Sequence, residues 1–354
     1  MNKGKIVLGM SGGVDSSVCV HLLQQMGYTV IGLHLQLIEE RFTPNSSGEA
    51  DARQVAEQFG IEFHTLDIRQ NFTAKIINYF ADEYINGRTP NPCVICNQMI
   101  KMNYLEKFAD EIGAEWIATG HYVQLTESEN GQRLLARGID EKKDQSYFLS
   151  LISPKLLKRL QFPLGQYTKS QVREIAEGLG MKVASKSDSQ EICFITDNDY
   201  KSFLARFLPP KSFKTGAIMH SDGRKLGKHT GLANYTIGQR KGLGVALGEP
   251  AYVVALDKEK NQVVLGSNEE LMKNALLAVD NQFYIEVPLQ QPVEVQAKVR
   301  YRTQPAAATL YRHNEHLVQV EFKEAQRAIT PGQCVCYYQG EQVIGGGIIE
   351  SVLE

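Results

Sequence analysis

Up to about residue 200, apolar positions come in short continuous runs. Each run is followed by a stretch with helical spacing that closes on a glycine. Lys5–Met10 is the first run, followed by a Gly/Ser loop and a helical pattern over Val14–Met26 that ends at Gly27. Thr29–Leu35 reads as a second buried strand, Asp51–Phe59 as a helix closed by Gly60, and Ile61–Ile68 as a strand. Helical spacing returns over Phe72–Ile85 before Gly87 and over Tyr104–Ile112 before Gly113, and Trp116–Thr119 is again strand-like. Repeated strand–helix–glycine–strand units predict an α/β domain with a parallel sheet covered by helices. Ligands of such sheets sit beyond the carboxyl ends of the strands.

Near Pro209-Pro210 the texture changes to a glycine-rich, basic stretch with short strands at Ala251–Leu256 and Gln262–Leu265. From about residue 275 the period is two. Val293, Val295, Ala297, Val299 and Tyr301 alternate with polar neighbours, and Leu317–Phe322, Gln333–Tyr338 and Val343–Ile349 behave alike. This predicts a small antiparallel barrel or sandwich. The boundaries expected are 1–205, 206–272 and 273–354.

Composition changes this picture little: 354 residues, 43% hydrophobic and 22% charged, suit a globular protein of more than one domain. No stretch reads as a signal peptide or a membrane span. Six cysteines in a chain this long do not make a disulfide framework and fit a reducing cytoplasm. Charge is more informative. The net value is −2, yet Lys201 to Lys241 holds nine Lys or Arg against one acid, Asp222. A basic face on an acidic body suits a phosphate backbone, and equally a merely solvated surface.

Two motifs stand out in this frame. Ser11-Gly12-Gly13-Val14-Asp15-Ser16-Ser17 follows the first strand and opens the first helix. Its glycines let a ligand approach the backbone, and helix-start N–H groups with three hydroxyls suit an anion such as phosphate. No Lys stands where a Walker loop needs one. The string resembles the loop of the pyrophosphate-loop ATP pyrophosphatases, in which Asp15 would help hold Mg²⁺. The other motif is cysteine-based. Arg88-Thr89-Pro90-Asn91-Pro92-Cys93-Val94-Ile95-Cys96-Asn97 reads as a rigid loop presenting two thiols, with helix barred until after Pro92. Asp188-Ser189-Gln190-Glu191-Ile192-Cys193-Phe194 reads as a polar loop with an accessible thiol. Cys19, Cys334 and Cys336 read as packing residues.

Further strings follow in order: Ala118-Thr119-Gly120-His121-Tyr122, Lys143-Asp144-Gln145-Ser146-Tyr147-Phe148-Leu149, Thr236-Ile237-Gly238-Gln239-Arg240-Lys241-Gly242-Leu243, Arg300-Tyr301-Arg302 and Pro331-Gly332-Gln333. Together with the two motifs they resemble the tRNA-specific 2-thiouridylase family over nearly the whole chain. The resemblance implies an N-terminal pyrophosphatase domain, a small central domain and a C-terminal β-barrel. It implies ATP and Mg²⁺ as cofactors, tRNA as partner, and a cysteine desulfurase or sulfur-relay protein as sulfur donor. By the same resemblance Gly9, Met10, Ser11, Gly12, Gly13, Val14, Asp15 and Ser16 would bind the ATP phosphates, and Leu35 and Gly120 the adenine and ribose. Cys193 would carry a persulfide and Cys96 would act as nucleophile, with Asp15 completing the catalytic set. Asn91, Pro92 and Cys93 would contact the target base. His121, Lys143, Asp144, Gln145, Arg300, Tyr301 and Gln333 would contact tRNA.

One position departs from the family. Many members carry Asp where Cys93 stands, and three readings stay open: a tolerated variant at the base contact, a redox pair with Cys96, or an iron–sulfur cluster on Cys93, Cys96 and Cys193. Two rival functions stay open beside thiolation. A pyrophosphate-loop synthetase with a small-molecule substrate explains SGGVDSS but not the cysteines. A non-catalytic RNA-binding protein explains the basic segment but gives the cysteines no purpose.

Overall fold

The computed structural model describes residues 2–39, 47–128, 130–186, 192–195, 199–245 and 248–353. The chain forms two compact units interleaved in sequence. One comprises 1–75, 93–196 and 339–344, and the other 76–92, 197–338 and 345–354.

The first unit is built on strands β1 (Lys5–Gly9), β2 (Thr29–Gln36), β3 (Glu62–Asp67), β4 (Trp116–Thr119), β5 (Val123–Glu127), β6 (Arg133–Arg137) and β7 (Leu160–Gln161). Five of them make a parallel sheet in the order β3-β2-β1-β4-β7. Ile6, Val7 and Leu8 of β1 are fully buried, as a central parallel strand covered on both faces requires. Helices α1 (Val14–Gln25), α2 (Gly48–Phe59), α3 (Arg69–Phe72) and, in the other unit, α4 (Asn78–Ile85) come next in the chain. Pro92–Cys96 is α5, Asn97–Lys101 a π-helical turn, and Met102–Glu111 is α6; the short α7 (Pro154–Leu157) precedes α8 (Lys169–Gly178). Val14, Val18 and Leu22 of α1 and Val172 and Ala176 of α8 enter one apolar core with β1. Cys19 lies in the same core, fully buried. The strand order reverses between β1 and β4, so a crevice opens at their carboxyl ends. The β5–β6 hairpin, which hydrophobic periodicity does not reveal, pairs through Leu135 and Ala136 with Val343 and Gln342.

The second unit adds α9 (Tyr200–Phe207), β8 (Gly216–His220), β9 (Lys225–His229), β10 (Tyr252–Asp257) and β11 (Gln262–Gly266). Tyr84 of α4 stacks on Tyr200 of α9 with ring centroids 4.7 Å apart. The strands form a four-stranded sheet, β10-β11-β8-β9, over a separate core of Ile218, Leu232, Tyr235, Val253, Val263 and Leu265. Next come β12 (Met272–Phe283), β13 (Val293–Lys298), β14 (Ala306–Arg312), β15 (Val318–Arg327), β16 (Cys334–Gln339) and β17 (Gln342–Leu353). They run β12-β15-β14-β13-β16-β17, and β17 returns to β12, closing a six-stranded antiparallel barrel. Closure leaves no open edge and decides between barrel and sandwich. Cys334 and Cys336 are fully buried in β16. Among the described residues no helix is long and apolar enough to cross a membrane.

Candidate nucleotide and sulfur-transfer site

The loop after β1 is shaped by two glycines with different constraints. Gly12 has φ +77°, a left-handed conformation, and Gly13 is the extended N-cap residue of α1 with φ −93°. Gly13 offers no side-chain cap, so the N–H groups that open α1 are left for a ligand to take. The hydroxyls brace the loop from inside. Ser17 Oγ donates to Gly13 O at 2.8 Å, and Ser16 Oγ accepts from the Ser11 N–H at 3.2 Å. Gly120, beyond the end of β4, lies against this loop: a Cβ there would stand 3.0 Å from Ser16 N and 3.2 Å from Asp15 C. Leu35 sits near the end of β2, half-buried. The expected nucleotide residues thus occupy the carboxyl ends of β1, β2 and β4.

Asp15 lies in the first turn of α1, where a carboxylate suits the helix dipole. Its Oδ1 accepts from Tyr122 OH at 2.6 Å and from Lys169 Nζ at 2.7 Å. No donor among the described residues reaches Oδ2. An open carboxylate oxygen beside a phosphate-binding loop fits Mg²⁺, which takes one or two carboxylates and completes its shell with phosphate and water. The sequence names Tyr122 only within a string and assigns it no role, and it gives no sign of Lys169. Lys169 stands far along the chain from Asp15, and no local pattern announces such a pair.

The thiols behave differently from the rigid loop expected. Cys93 and Cys96 sit on α5, which starts at Pro92 itself, because proline suits the first helical position. Three residues apart on a helix, they share one face. Cys96 is 4% exposed and Cys93 half-buried. Cys193 is exposed, at the apex of a turn closed by Ile195 N–H donating to Ile192 O at 2.8 Å. Phe194 and Ile195 anchor that turn. Phe194 is 1% exposed and meets Phe72 edge-on, with ring centroids 5.8 Å apart. Asp188, Ser189, Gln190 and Glu191 of the same motif, like Asn45 and Ser46, lie outside the described residues.

Cys93, Cys96 and Cys193 lie near enough for their charges to act on one another and on Lys101, at the end of the π-helical turn. Burial, then the Cys193 charge, pushes the Cys93 thiol up to about 11, while Lys101 pulls it down. Burial pushes Cys96 up to about 11 against the Lys101 charge and its backbone N–H. Protein crowds Cys193 enough to push it up to about 11 as well, and the Cys96 charge adds to this. Its exposure means that water screens part of that shift. Burial presses Lys101 down, but Cys96, Cys193 and Cys93 outweigh it and hold the ammonium above its ordinary value. Lys101 is a third site residue without a signal in the sequence; its position five residues after Cys96 carries no motif.

These thiols are therefore mostly protonated at neutral pH. Alkylation of Cys193 by iodoacetamide, followed by peptide mass spectrometry, is expected to quicken about tenfold per pH unit from pH 7 towards 10. Lys101→Met should slow it at each pH, since the thiolate loses its cation. A flat pH profile, or an unchanged one in the variant, would contradict this electrostatic account. The linkage has a definite sign. The unfolded chain releases these protons near the ordinary thiol value of 9.0 and the folded chain near 11, so stability falls as pH rises through that window.

Among the described residues no three His, Cys, Asp or Glu side chains are placed to hold a metal ion. All six cysteines are free thiols.

The expected tRNA contacts divide between the units. In the first, His121 is half-buried and pairs through Nδ1 with Thr119 Oγ1 at 2.8 Å. Burial and the Lys101 charge push its imidazole down to about 3, so it is neutral at working pH. Lys143 and Gln145 are half-buried, and Gln145 accepts from the Tyr122 N–H at 3.0 Å. Asp144 differs from expectation. It is 3% exposed, and its carboxylate accepts from Gly138 N, Ser146 N and Ser146 Oγ at 2.9–3.1 Å. Its carboxylate holds its own loop. In the second unit Gln333 Nε2 donates to Thr89 O at 2.9 Å and Pro90 O at 3.3 Å, pinning the segment that carries Asn91 and the buried Pro92. Arg300 donates to Ile237 O at 3.1 Å and to Thr330 Oγ1, and Tyr301 is half-buried beside it in sequence.

A parallel sheet with a glycine-braced loop at its switch point, followed by a small β-rich sheet and a closed barrel, defines a pyrophosphate-loop α/β protein with two appended β modules. Family profiles match accordingly: a tRNA methyl transferase HUP domain over 4–197, a tRNA methyl transferase PRC-barrel domain over 201–267 and an aminomethyltransferase β-barrel domain over 273–349. The chain is 46% identical over 358 residues to a tRNA-specific 2-thiouridylase MnmA of Clostridium acetobutylicum, covering 99% of this chain and 100% of that protein. It is 45% identical over 361 residues to that of Clostridioides difficile, covering 100% and 99%. The chain belongs to the tRNA-specific 2-thiouridylase family. Among solved structures it is similar to the U34-tRNA thiolase NcsA of Methanococcus maripaludis with its [4Fe-4S] cluster, at 20% identity and a TM-score of 0.35, covering 60% of this chain and 69% of that one. A 4-thiouridine synthetase–RNA complex with bound ATP gives 19% identity, a TM-score of 0.38, and 57% and 50% coverage. Likeness this low says nothing of mechanism.

Proposed function

We propose that this protein is a sulfurtransferase that replaces O2 of the wobble uridine of tRNA with sulfur, consuming ATP. The observation that carries the reading is the nearness of Cys96 and Cys193. Remote in sequence, they lie in the unit that holds the SGGVDSS loop, within electrostatic reach of each other. The relatives' names support tRNA as substrate and 2-thiolation as reaction.

In this reading the ATP phosphates lie on the N–H groups that open α1, and Leu35 and Gly120 flank the nucleoside. Mg²⁺, held by Asp15 Oδ2 and phosphate oxygens, would neutralise charge on the phosphates. Uridine O2 attacks the α-phosphorus, the bond to pyrophosphate breaks, and O2 becomes part of AMP, which leaves readily. Cys193 carries the sulfane sulfur from a cysteine desulfurase or relay protein. Along one route the Cys96 thiolate attacks the Cys193 sulfur. Hydrosulfide is released, adds to C2 and expels AMP, leaving a Cys96–Cys193 disulfide. Along the other, the persulfide attacks C2 directly and Cys96 then cleaves the mixed species, with the same disulfide as product. Both routes need a thiol reductant to reset the pair. Lys101 would stabilise whichever thiolate attacks. Cys93 would sit beside the base in place of the aspartate that many members carry.

We assign ATP chemistry to 1–205 and tRNA binding to 206–272 and 273–354, in a protein of the cytoplasm. The basic stretch supports this assignment: of its nine cations all but Lys201 are exposed. Replacing Arg240 and Lys241 with Ala is expected to weaken tRNA binding and flatten its salt dependence, each lost phosphate contact reducing the slope by about one. An unchanged slope in filter-binding titrations would mark this face as merely solvated.

The test of the function is nucleoside mass spectrometry of tRNA after incubation with ATP, Mg²⁺, cysteine and a desulfurase. We expect 2-thiouridine together with AMP and pyrophosphate, all dependent on tRNA. Turnover driven by a small molecule without tRNA would overturn the reading. Stoichiometric iron in anaerobically purified protein would overturn its persulfide route.

A further inference from the structure

Lys169 is a buried cation with a defined grip. Its backbone is fixed twice. Thr168 caps α8 through a reciprocal capping box with Gln171, and the Lys169 N–H donates to Asp140 Oδ2 at 2.9 Å. Its side chain, in a residue 9% exposed, runs to Asp15 Oδ1 at 2.7 Å and passes 5.9 Å from the centre of the Tyr122 ring. Tyr122, 2% exposed, donates to the same oxygen. Two donors thus hold one oxygen of the carboxylate, while no donor among the described residues reaches the other, and the Asp15 side chain keeps 34% of its surface. A buried ammonium must stay paired. Cation and carboxylate here neutralise each other at the place where a polyphosphate and a metal ion would both arrive.

Resting on the ATP reading above, we propose that Lys169 is a positioning residue that makes metal entry conditional on nucleotide. In the empty site its ammonium neutralises Asp15, and a divalent cation meets a carboxylate whose charge is already spent. When the triphosphate lies along the start of α1, it brings several negative charges beside Lys169. The ammonium turns to the phosphate oxygens, and Tyr122 alone keeps Asp15 oriented. The freed carboxylate then takes Mg²⁺ together with the phosphates. The exchange moves no proton and makes no covalent bond. It favours nucleotide before metal, and it keeps an unproductive metal out of the empty site.

The test is Mn²⁺ binding, followed by electron paramagnetic resonance, to the full chain without nucleotide. Wild type is expected to bind Mn²⁺ at this site weakly. Lys169→Met should raise that affinity by at least about tenfold, and Asp15→Asn should abolish the gain. Lys169→Arg, which keeps the cation, should restore weak binding, an outcome that a merely structural lysine would not give. Lys169→Gln provides the same comparison if Met unfolds the chain. ATP affinity measured without metal should fall in Lys169→Met. Unchanged Mn²⁺ affinity in a folded Lys169→Met or Lys169→Gln that still binds ATP would overturn the exchange and leave the nucleotide site standing. No ATP binding by wild type would overturn the nucleotide reading, and this proposal with it.

Discussion

Cys193→Ser and Cys96→Ser are each expected to abolish 2-thiouridine formation, by at least about a thousandfold, while the first turnover of ATP to pyrophosphate survives. The split follows from the chemistry. Adenylation joins uridine O2 to phosphorus and uses no thiol, whereas every route by which sulfur reaches C2 passes through the pair. The two losses should not add. If the sulfurs act as one device, the double variant is no worse than either single one. Cys93→Asp, which restores the residue common in the family, is expected to retain activity. Loss in that variant would show that the third thiol takes part in sulfur handling. Nucleoside mass spectrometry measures the first effect and single-turnover pyrophosphate release the second. Normal thiouridine yield in the double variant would end the proposal.

Much of this is legible in the sequence because it is local. A strand of buried aliphatics, two glycines and a helix start are contiguous, so SGGVDSS announces its own geometry. The exposed turn at Cys193 is legible for a similar reason: it stands in a polar stretch of sequence, and Phe194 and Ile195 after it are buried. The barrel was legible as period-two patterning, but not as closed, because closure rests on β12 meeting β17 at the far end of the domain. What stayed hidden is long-range or counter to type. Lys169 and Tyr122 reach Asp15 only through folding. Asp144 belongs to a residue type usually found at surfaces, and it is instead a buried acceptor for its own loop. The sequence bars a helix until after Pro92, whereas in the structure Pro92 is the first residue of α5.

The two loop glycines look interchangeable in sequence, and the structure separates them. Gly12→Ala is expected to cost several kcal/mol of stability and about a hundredfold or more in ATP affinity, whereas Gly13→Ala should leave stability nearly intact. At Gly12 the backbone is left-handed, φ +77°, a region that costs an L residue on the order of 1–2 kcal/mol. A Cβ there would also lie 2.1 Å from the carbonyl oxygen of Gly48 and 2.8 Å from its C and Cα. Those atoms are main chain at the start of α2 and cannot swing away, so either the loop or the helix start must shift. At Gly13 the φ of −93° suits any residue, and a Cβ meets only Ser11 Oγ at 3.5 Å, an ordinary contact. Any loss of ATP affinity in Gly13→Ala therefore reports the ligand pressing on the backbone, since the fold itself has room. Thermal unfolding and metal-free nucleotide titration on both variants separate the two causes. Equal melting temperatures for Gly12→Ala and wild type would show that α2 does not close over the loop as described.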